Sequence, residues 1–112
     1  MIEKHVSNES ISEALTYLAE SDEECAKALA LMRKLEKQEK SIIAMGFDAA
    51  QAGSAEARKQ AAIATREYLQ WLEDYDKSVL DYHLIKNKRD TYVLKCELWR
   101  SVNANRNRGN VR

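Results

Sequence analysis

The sequence has no proline, only three glycines and only two cysteines among its 112 residues. Turns of β-sheet domains rely on glycine and proline, so this shortage argues against an all-β fold. It also excludes collagen-like and Pro-rich chains. The two cysteines, Cys25 and Cys96, are too few for a disulfide framework or a zinc knuckle.

Membrane and export signals are missing as well. The sequence contains no run of about 18 apolar residues, so we expect no membrane-spanning helix. Residues 1–5 lack a basic segment followed by an apolar stretch, so we expect no signal peptide. These absences together predict a cytoplasmic protein that does not contact a membrane.

The sequence also lacks a net charge, because eighteen basic residues balance eighteen acidic ones. The charges are nevertheless unevenly distributed. Residues 1–24 contain seven acids and one base, whereas residues 100–112 contain four arginines and no acid. Such polarity can orient self-association or direct one end of the chain toward an acidic partner, although two solvated helix ends would produce it equally well.

Apolar residues recur with helical spacing along almost the whole chain, which predicts an all-α fold. Capping-box patterns begin at Ser10 and at Ser21, and each predicts the start of a helix. Gly53 followed by Ser54 is typical of a helix end and a new N-cap, so this pair marks the one clear turn. The predicted helices span about residues 10–20, 22–52 and 55–104, and the second is either a new helix or a kinked continuation of the first.

Two long helices joined at this turn predict an elongated antiparallel helical hairpin of the coiled-coil kind, with a short N-terminal helix. A helix of about 50 residues would be about 75 Å long, whereas the radius of gyration of a compact domain of this size is about 13 Å. Residues 1–104 are predicted to form this single domain, and residues 105–112 a flexible basic tail. Gly46, inside the second helix, indicates a bend or a close helix contact.

The third predicted helix carries a stripe of residues three and four apart, the spacing of a coiled-coil core. Tyrosine at such positions packs its ring and reaches the edge with its hydroxyl, which we favour over base stacking in single-stranded nucleic acid. Apolar residues off the stripe include Trp71, Leu84 and Leu94, and some should be exposed in a monomer, so we expect a homo-oligomeric helix bundle. The predicted stripe comprises Tyr68, Leu72, Tyr75, Val79, Tyr82, Tyr92 and Trp99.

Motifs for catalysis and metal binding are scarce. His83 has Leu80 three residues before it, so the Glu-x-x-His motif of di-iron bundles is missing. Together with His5, Cys25 and Cys96 it offers too few ligands for zinc. No nucleophile elbow, phosphate-binding glycine loop or His-Glu-x-x-His sequence occurs. We therefore expect no enzymatic activity, no metal and no cofactor.

The C-terminal segment interleaves arginine with asparagine. Arginine is suited to bidentate contacts with phosphate, and such segments bind nucleic acids independently of base sequence. The competing interpretation is a solubilising helix end whose cations complement the helix dipole. The candidate nucleic-acid-binding residues are Arg100, Asn103, Asn105, Arg106, Arg108 and Arg112.

Four segments of the sequence form a distinctive ordered set: residues 17–23 read YLAESDE, residues 35–40 read LEKQEK, residues 57–61 read ARKQA and residues 99–109 read WRSVNANRNRG. This set resembles a group of small helical proteins encoded by tailed bacteriophages and prophages. The four segments extend over nearly the whole chain, and the Trp-Arg-Ser-x-Asn-Ala-Asn-Arg stretch is the most distinctive. The resemblance implies a phage or prophage origin, a place near recombination and replication genes, and the host cytoplasm as location. It implies no particular activity.

Two functions of different classes follow from these observations. The first is a non-enzymatic phage or prophage accessory protein in DNA recombination or replication. It would be a self-associating scaffold or a nucleic-acid-binding factor, with itself, single-stranded DNA or a recombination or replication protein as partner. The second is a pure protein–protein interaction module, an adaptor or inhibitor of a host protein, in which the acidic N-terminal part is the functional surface. Salt-dependent binding to single-stranded DNA separates the two.

Overall fold

The computed structural model describes residues 7–110 of the chain and the side chains of residues 7–106. It contains three helices: α1 spans Asn8–Ala49, α2 spans Ala55–Ile63 and α3 spans Arg66–Asn110. No strand occurs among the described residues. The prediction of an all-α fold is therefore confirmed.

The described chain divides into two compact units. The terminal unit comprises residues 7–26 of α1 and 83–110 of α3. The central unit comprises residues 27–82, which contain the second half of α1, all of α2 and the first part of α3. In each unit a segment of α1 packs against a segment of α3.

Helix α1 is unbroken, so of the two alternatives at Ser21, a new helix or a continuation of the first, the structure has the continuation. The hydroxyl of Ser7 accepts a hydrogen bond from the backbone N–H of Ser10 at 3.1 Å, which makes Ser7 the N-cap. Ser21, predicted to cap a second helix, is buried inside α1, and its hydroxyl accepts a hydrogen bond from Arg89 at 2.7 Å. Because that hydroxyl faces a guanidinium group, it does not compete for the backbone donors of the next turn, and the helix continues.

The C-terminal end of α1 lies at Ala49, three residues before the predicted end. The side chain of Arg58 caps this end, since its Nε donates to the carbonyl oxygen of Ala50 at 2.8 Å and its Nη2 to that of Phe47 at 2.9 Å. The guanidinium group also lies 4.1 Å from the centre of the Phe47 ring. Arg58 thus satisfies carbonyl groups that have no partner within the helix.

The turn predicted at Gly53 and Ser54 is present. Gly53 has a φ of +108°, a conformation that side chains with a Cβ rarely adopt. The hydroxyl of Ser54 accepts a hydrogen bond from the backbone N–H of Ala57 at 3.1 Å, so Ser54 is the N-cap of α2.

The predicted helix 55–104 is wrong at its N-terminal part, because the chain breaks into α2 and α3 at residues 64 and 65. The hydroxyl of Thr65 donates to the carbonyl oxygen of Ala62 at 2.8 Å and accepts from the N–H of Tyr68 at 3.1 Å. One side chain thereby ends α2 and caps α3. Gly46 marks a close helix contact, since a Cβ at that position would lie 2.9 Å from the Cα of Ala62.

Helix α3 continues into the predicted tail, as far as Asn110. Extending an existing helix by a residue costs little compared with nucleating one, and no proline stops α3. Residues 105–110 are therefore helical, while residues 111 and 112 lie outside the described part of the chain.

Both long helices turn a row of residues inward in alternating steps of three and four. In α1 the row runs through positions 11, 14, 18, 21 and 25 in the terminal unit and 28, 32, 35, 39, 42 and 46 in the central unit. In α3 it runs through positions 68, 71, 75, 78 and 82 in the central unit and 85, 89, 92, 96 and 99 in the terminal unit. All of these side chains are buried or half-buried.

The predicted stripe on α3 needs correction at two positions. Trp71 is only 6% exposed, whereas the predicted Leu72 is 37% exposed. Two turns later Ser78 is buried and the predicted Val79 is half-buried beside it. The inward row thus lies one residue earlier, because burying a large indole stabilises more than burying a leucine side chain. The other predicted stripe residues lie on the inward row: Tyr68, Tyr75, Tyr82, Tyr92 and Trp99.

Candidate interaction surfaces

The core of the central unit is built around Trp71. Its indole Nε1 donates a hydrogen bond to the carbonyl oxygen of Leu35 in α1 at 2.7 Å. The rings of Trp71 and Tyr75 are stacked, with centres 5.2 Å apart and planes 7° apart, and the centre of the Tyr68 ring lies 5.3 Å from that of Trp71. These rings are used for packing inside the chain, which leaves little of their faces for stacking on bases.

A polar pair lies beside this aromatic cluster. The hydroxyl of Tyr68 donates a hydrogen bond to Oε2 of Glu39 in α1 at 3.1 Å. Burial raises the pKa of Tyr68 above its ordinary value of 10.0, and the hydrogen bond and negative charge of Glu39 raise it further. The phenol is therefore held in its protonated, donating form.

The terminal unit is organised around Arg89 instead of an aromatic ring. Its Nη1 donates to the carbonyl oxygen of Leu18 and to the hydroxyl of Ser21, both at 2.7 Å. Its Nη2 lies 3.3 Å from the carboxylate of Asp22. Arg89 is not among the functional residues predicted from the sequence. The signal that identifies it in the sequence is its position seven residues after Tyr82, in step with the inward row.

Two tyrosine rings also join the helices of the terminal unit. The rings of Tyr17 and Tyr92 lie 4.9 Å apart and join α1 to α3. The ammonium groups of Lys88 and Lys95 lie over them, at 4.4 Å from the Tyr17 centre and 4.9 Å from the Tyr92 centre. Cation–π contacts of this kind fix the lysine chains along the surface instead of extending them into solvent.

The outward face of α3 exposes leucine in both units. In the terminal unit Leu84 is 61% and Leu94 is 63% exposed, although both lie on a helix whose opposite face is packed against α1. In the central unit Leu69, Leu72 and Leu80 are also exposed. Repeated exposure of large apolar side chains on one helix is typical of an interaction surface.

The predicted nucleic-acid-binding residues lie at the C-terminal end of α3. Arg100, Asn105 and Arg106 are exposed, and Asn103 is half-buried. Arg108 lies within α3, and Arg112 lies outside the described residues. Between residues 83 and 106 α3 carries six bases and two acids, so this part of the helix is strongly basic.

The opposing segment of α1 has the opposite charge. Residues 8–26 contain six acids and no base, and all six acidic residues are exposed. The signs reverse in the central unit, where residues 27–49 carry five bases and three acids, and residues 66–82 carry two bases and five acids. In both units, therefore, an acidic helix segment packs against a basic one.

Other kinds of site find little support in the part of the chain that the structure describes. No group of three or more His, Cys, Asp or Glu side chains there could hold a metal ion. His5 lies outside this part, and Cys25 and Cys96 are half-buried free thiols. An apolar groove of about 380 Å³ in the central unit is lined mainly by Ile42, Met45 and Ala49. None of the helices in residues 7–110 is long and apolar enough to cross a membrane.

Comparison with known proteins gives no relative: no protein-family model, no curated protein and no solved structure matches the chain.

Proposed function

We propose that the chain is a non-enzymatic scaffold, a single antiparallel helical hairpin that associates with copies of itself in the cytoplasm. The observation that carries this proposal is the exposure of leucine on the outward face of α3. Full burial of one such side chain contributes about 1.5–3 kcal/mol, so a partner that covers several of them gains a substantial free energy. The contacts of Leu18 with Arg89 and of Leu35 with Trp71 support the antiparallel hairpin, because the earlier residue of α1 contacts the later residue of α3 and the later residue of α1 contacts the earlier one.

The basic end of α3 extends this proposal to nucleic acid. Arg100 and Arg106 are exposed on a helical segment that also carries asparagine, so cationic and hydrogen-bonding groups occur together. Such a segment suits sequence-independent contacts with phosphates. The resemblance to small phage and prophage proteins makes DNA recombination or replication the setting of this proposal. Single-stranded DNA, or a protein bound to it, would then be the partner.

Fluorescence anisotropy with labelled single- and double-stranded DNA tests the nucleic-acid part. We expect binding at low salt that weakens as salt is added, because four arginines would release about three counterions from a single strand. A variant in which Arg100, Arg106, Arg108 and Arg112 are changed to alanine should lose this binding. A matched control removes the same amount of positive charge from α1 of the central unit, by changing Arg33, Lys34, Lys37 and Lys40 to alanine.

The two variants separate a local site from a general effect of charge. If both lose binding equally, the basic end of α3 is not a site, and the attraction comes from positive charge anywhere on the chain. If the unaltered protein shows no binding at low salt, nucleic acid is not its ligand.

The acidic segment of α1 favours a second candidate, a protein–protein interaction module with no nucleic-acid contact. Six exposed acids without a base in residues 8–26 could occupy a basic site on a host protein. Changing Glu13, Glu20 and Glu23 to glutamine should then abolish capture of that protein in a pull-down. The arginine-to-alanine variant should leave the capture unchanged. Capture that survives in the glutamine variant and is lost in the arginine-to-alanine variant would contradict this candidate.

A further inference from the structure

Helix α3 carries a second row of heptad spacing on its outward face in the terminal unit. The inward row at positions 85, 89, 92, 96 and 99 packs against α1. The second row is offset from it and repeats the same steps of three and four. All five of its residues are exposed: Leu84, Asn87, Thr91, Leu94 and Leu98. Because α1 packs against the inward row alone, the second row can form a coiled-coil interface with another helix.

The order of residues in this outward row is nearly symmetric about position 89. When two copies of α3 are placed antiparallel about that point, Leu84 lies opposite the partner's Leu94. Asn87 then lies opposite the partner's Thr91, and Leu98 lies opposite the partner's Leu80. Leucine thus meets leucine in the outer layers, while the two polar side chains that can hydrogen-bond to each other meet in the middle.

The charges of α3 favour the same polarity. Residues 66–82 carry five acids and two bases, whereas residues 83–106 carry two acids and six bases. A parallel pair would place acidic half on acidic half and basic half on basic half. An antiparallel pair places each acidic half beside the partner's basic half, which is the complementary arrangement.

Near the symmetry point, Lys88 would face the partner's Lys88 and Asp90 would face the partner's Asp90. Both side chains already make a contact within their own chain. The ammonium group of Lys88 lies 4.4 Å from the centre of the Tyr17 ring, so it is held toward α1. The carboxylate of Asp90 is paired with Lys86 at 2.7 Å. Repulsion between like charges at the centre is thereby reduced.

We infer that a second copy of this chain docks antiparallel on the outward row of α3, with Leu84 of each copy against Leu94 of the other. This inference rests on the self-association in the proposed function and gives it a surface, a polarity and a register. Asn87 and Thr91 form the central polar layer, which fixes the register because a shifted alignment would place them against leucine.

The first test is the stoichiometry of the full-length chain, measured by sedimentation equilibrium. Changing Leu84 and Leu94 to asparagine should raise the dissociation constant of the dimer at least about a hundredfold, since four leucines per dimer lose their partners. Both residues are exposed in the single chain, so the helical circular dichroism should not change. The matched control changes Leu15 and Leu31 to asparagine. These two leucines are also exposed but lie on α1, so the dissociation constant should not change.

The second test measures polarity by disulfide trapping in a chain whose Cys25 and Cys96 are replaced by alanine. One variant carries Leu84→Cys and another carries Leu94→Cys. In the antiparallel dimer each variant alone should not cross-link, because identical positions are about 15 Å apart along the helix axis. An equal mixture of the two variants should cross-link to a dimer on mild oxidation.

The outcomes distinguish this inference from the proposed function on which it rests. An unaltered chain that stays monomeric at every concentration overturns both. A dimer that survives the Leu84→Asn, Leu94→Asn double change overturns the inference and leaves self-association in place. Cross-linking of the Leu84→Cys variant with itself overturns the antiparallel polarity. Loss of the dimer in the asparagine variant together with cross-linking only in the mixture supports the inference.

Discussion

The central and terminal units use the same heptad geometry with different chemistry. In the central unit the inward row of α3 holds α1 through the aromatic ring of Trp71, whose only polar contact is one hydrogen bond to the backbone. In the terminal unit the corresponding role falls to Arg89, which makes two short hydrogen bonds to α1. The heptad spacing therefore determines where the two helices meet. The residue at the meeting point determines whether apolar burial or hydrogen bonding stabilises the contact.

The largest effect is expected from removing the aromatic centre of the central unit. Trp71→Ala deletes a side chain that is 6% exposed, so the free energy of unfolding should fall by about 3–5 kcal/mol. Urea denaturation followed by circular dichroism measures this change. Leu72→Ala, on the neighbouring exposed position, should cost less than about 1 kcal/mol. Equal losses from both variants would contradict the assignment of Trp71 to the inward row.

A smaller effect is expected from removing the polar centre of the terminal unit. Arg89→Met keeps much of the aliphatic chain but leaves the buried hydroxyl of Ser21 without its donor, at a cost of about 1–3 kcal/mol. The same denaturation experiment on Asp22→Asn is the control. Asp22 is 79% exposed, so its ion pair with Arg89 should contribute less than about 1 kcal/mol. A larger loss for Asp22→Asn than for Arg89→Met would show that the ion pair, and not the contacts to Leu18 and Ser21, joins the helices.

The close contact between α1 and α2 provides a third test, confined to the central unit. Gly46→Ala should raise the free energy of unfolding by about 1 kcal/mol through its higher helix propensity. The new Cβ, which meets the backbone of Ala62 at 2.9 Å, should lower it by about 1–3 kcal/mol. We expect a net loss of about 1 kcal/mol in the thermal unfolding of the full chain. Ala44→Gly, on the exposed side of the same helix, gives the propensity effect alone. A net stabilisation by Gly46→Ala would contradict the close approach of α2.

The smallest effect concerns pH and again belongs to the central unit. Burial and Glu39 raise the pKa of Tyr68 above 10.0 in the folded chain, so folding favours the protonated phenol. The resulting stability is fully present below pH 10 and is lost as the pH rises through the pKa of the folded state. Denaturation at increasing pH should therefore show a decline above pH 10 that is shallower in Tyr68→Phe. Identical slopes in the two proteins would mean that the contact with Glu39 does not stabilise the fold.

Much of the helical organisation could be predicted from the sequence, because it depends on residues close together in the chain. Helical spacing gave the all-α class, and the adjacent Gly53 and Ser54 gave the turn, since a positive φ and an N-cap are local requirements. The exposed arginines near the C-terminus and the uneven charge were also evident, because charge needs no partner to be recognised. Leu84 and Leu94 were recognisable as apolar residues off the predicted stripe.

The contacts between α1 and α3 could not be predicted in the same way, since their hydrogen bonds join residues that are 29 to 91 positions apart. Ser21 has the local pattern of an N-cap, yet Arg89 engages its hydroxyl and α1 continues. Thr65 has no obvious breaker beside it, yet its hydroxyl separates α2 from α3.

Local patterns in the sequence thus show that the chain is helical, that it turns at Gly53 and Ser54, and how its charges are distributed. The tertiary structure alone decided that Trp71 faces inward and Leu72 outward, and that Arg89 is part of the core. The physical reason is that a helix can present any of several neighbouring rows to a partner at similar local cost. The choice among them depends on what the other helix offers, here the carbonyl groups of Leu35 and Leu18.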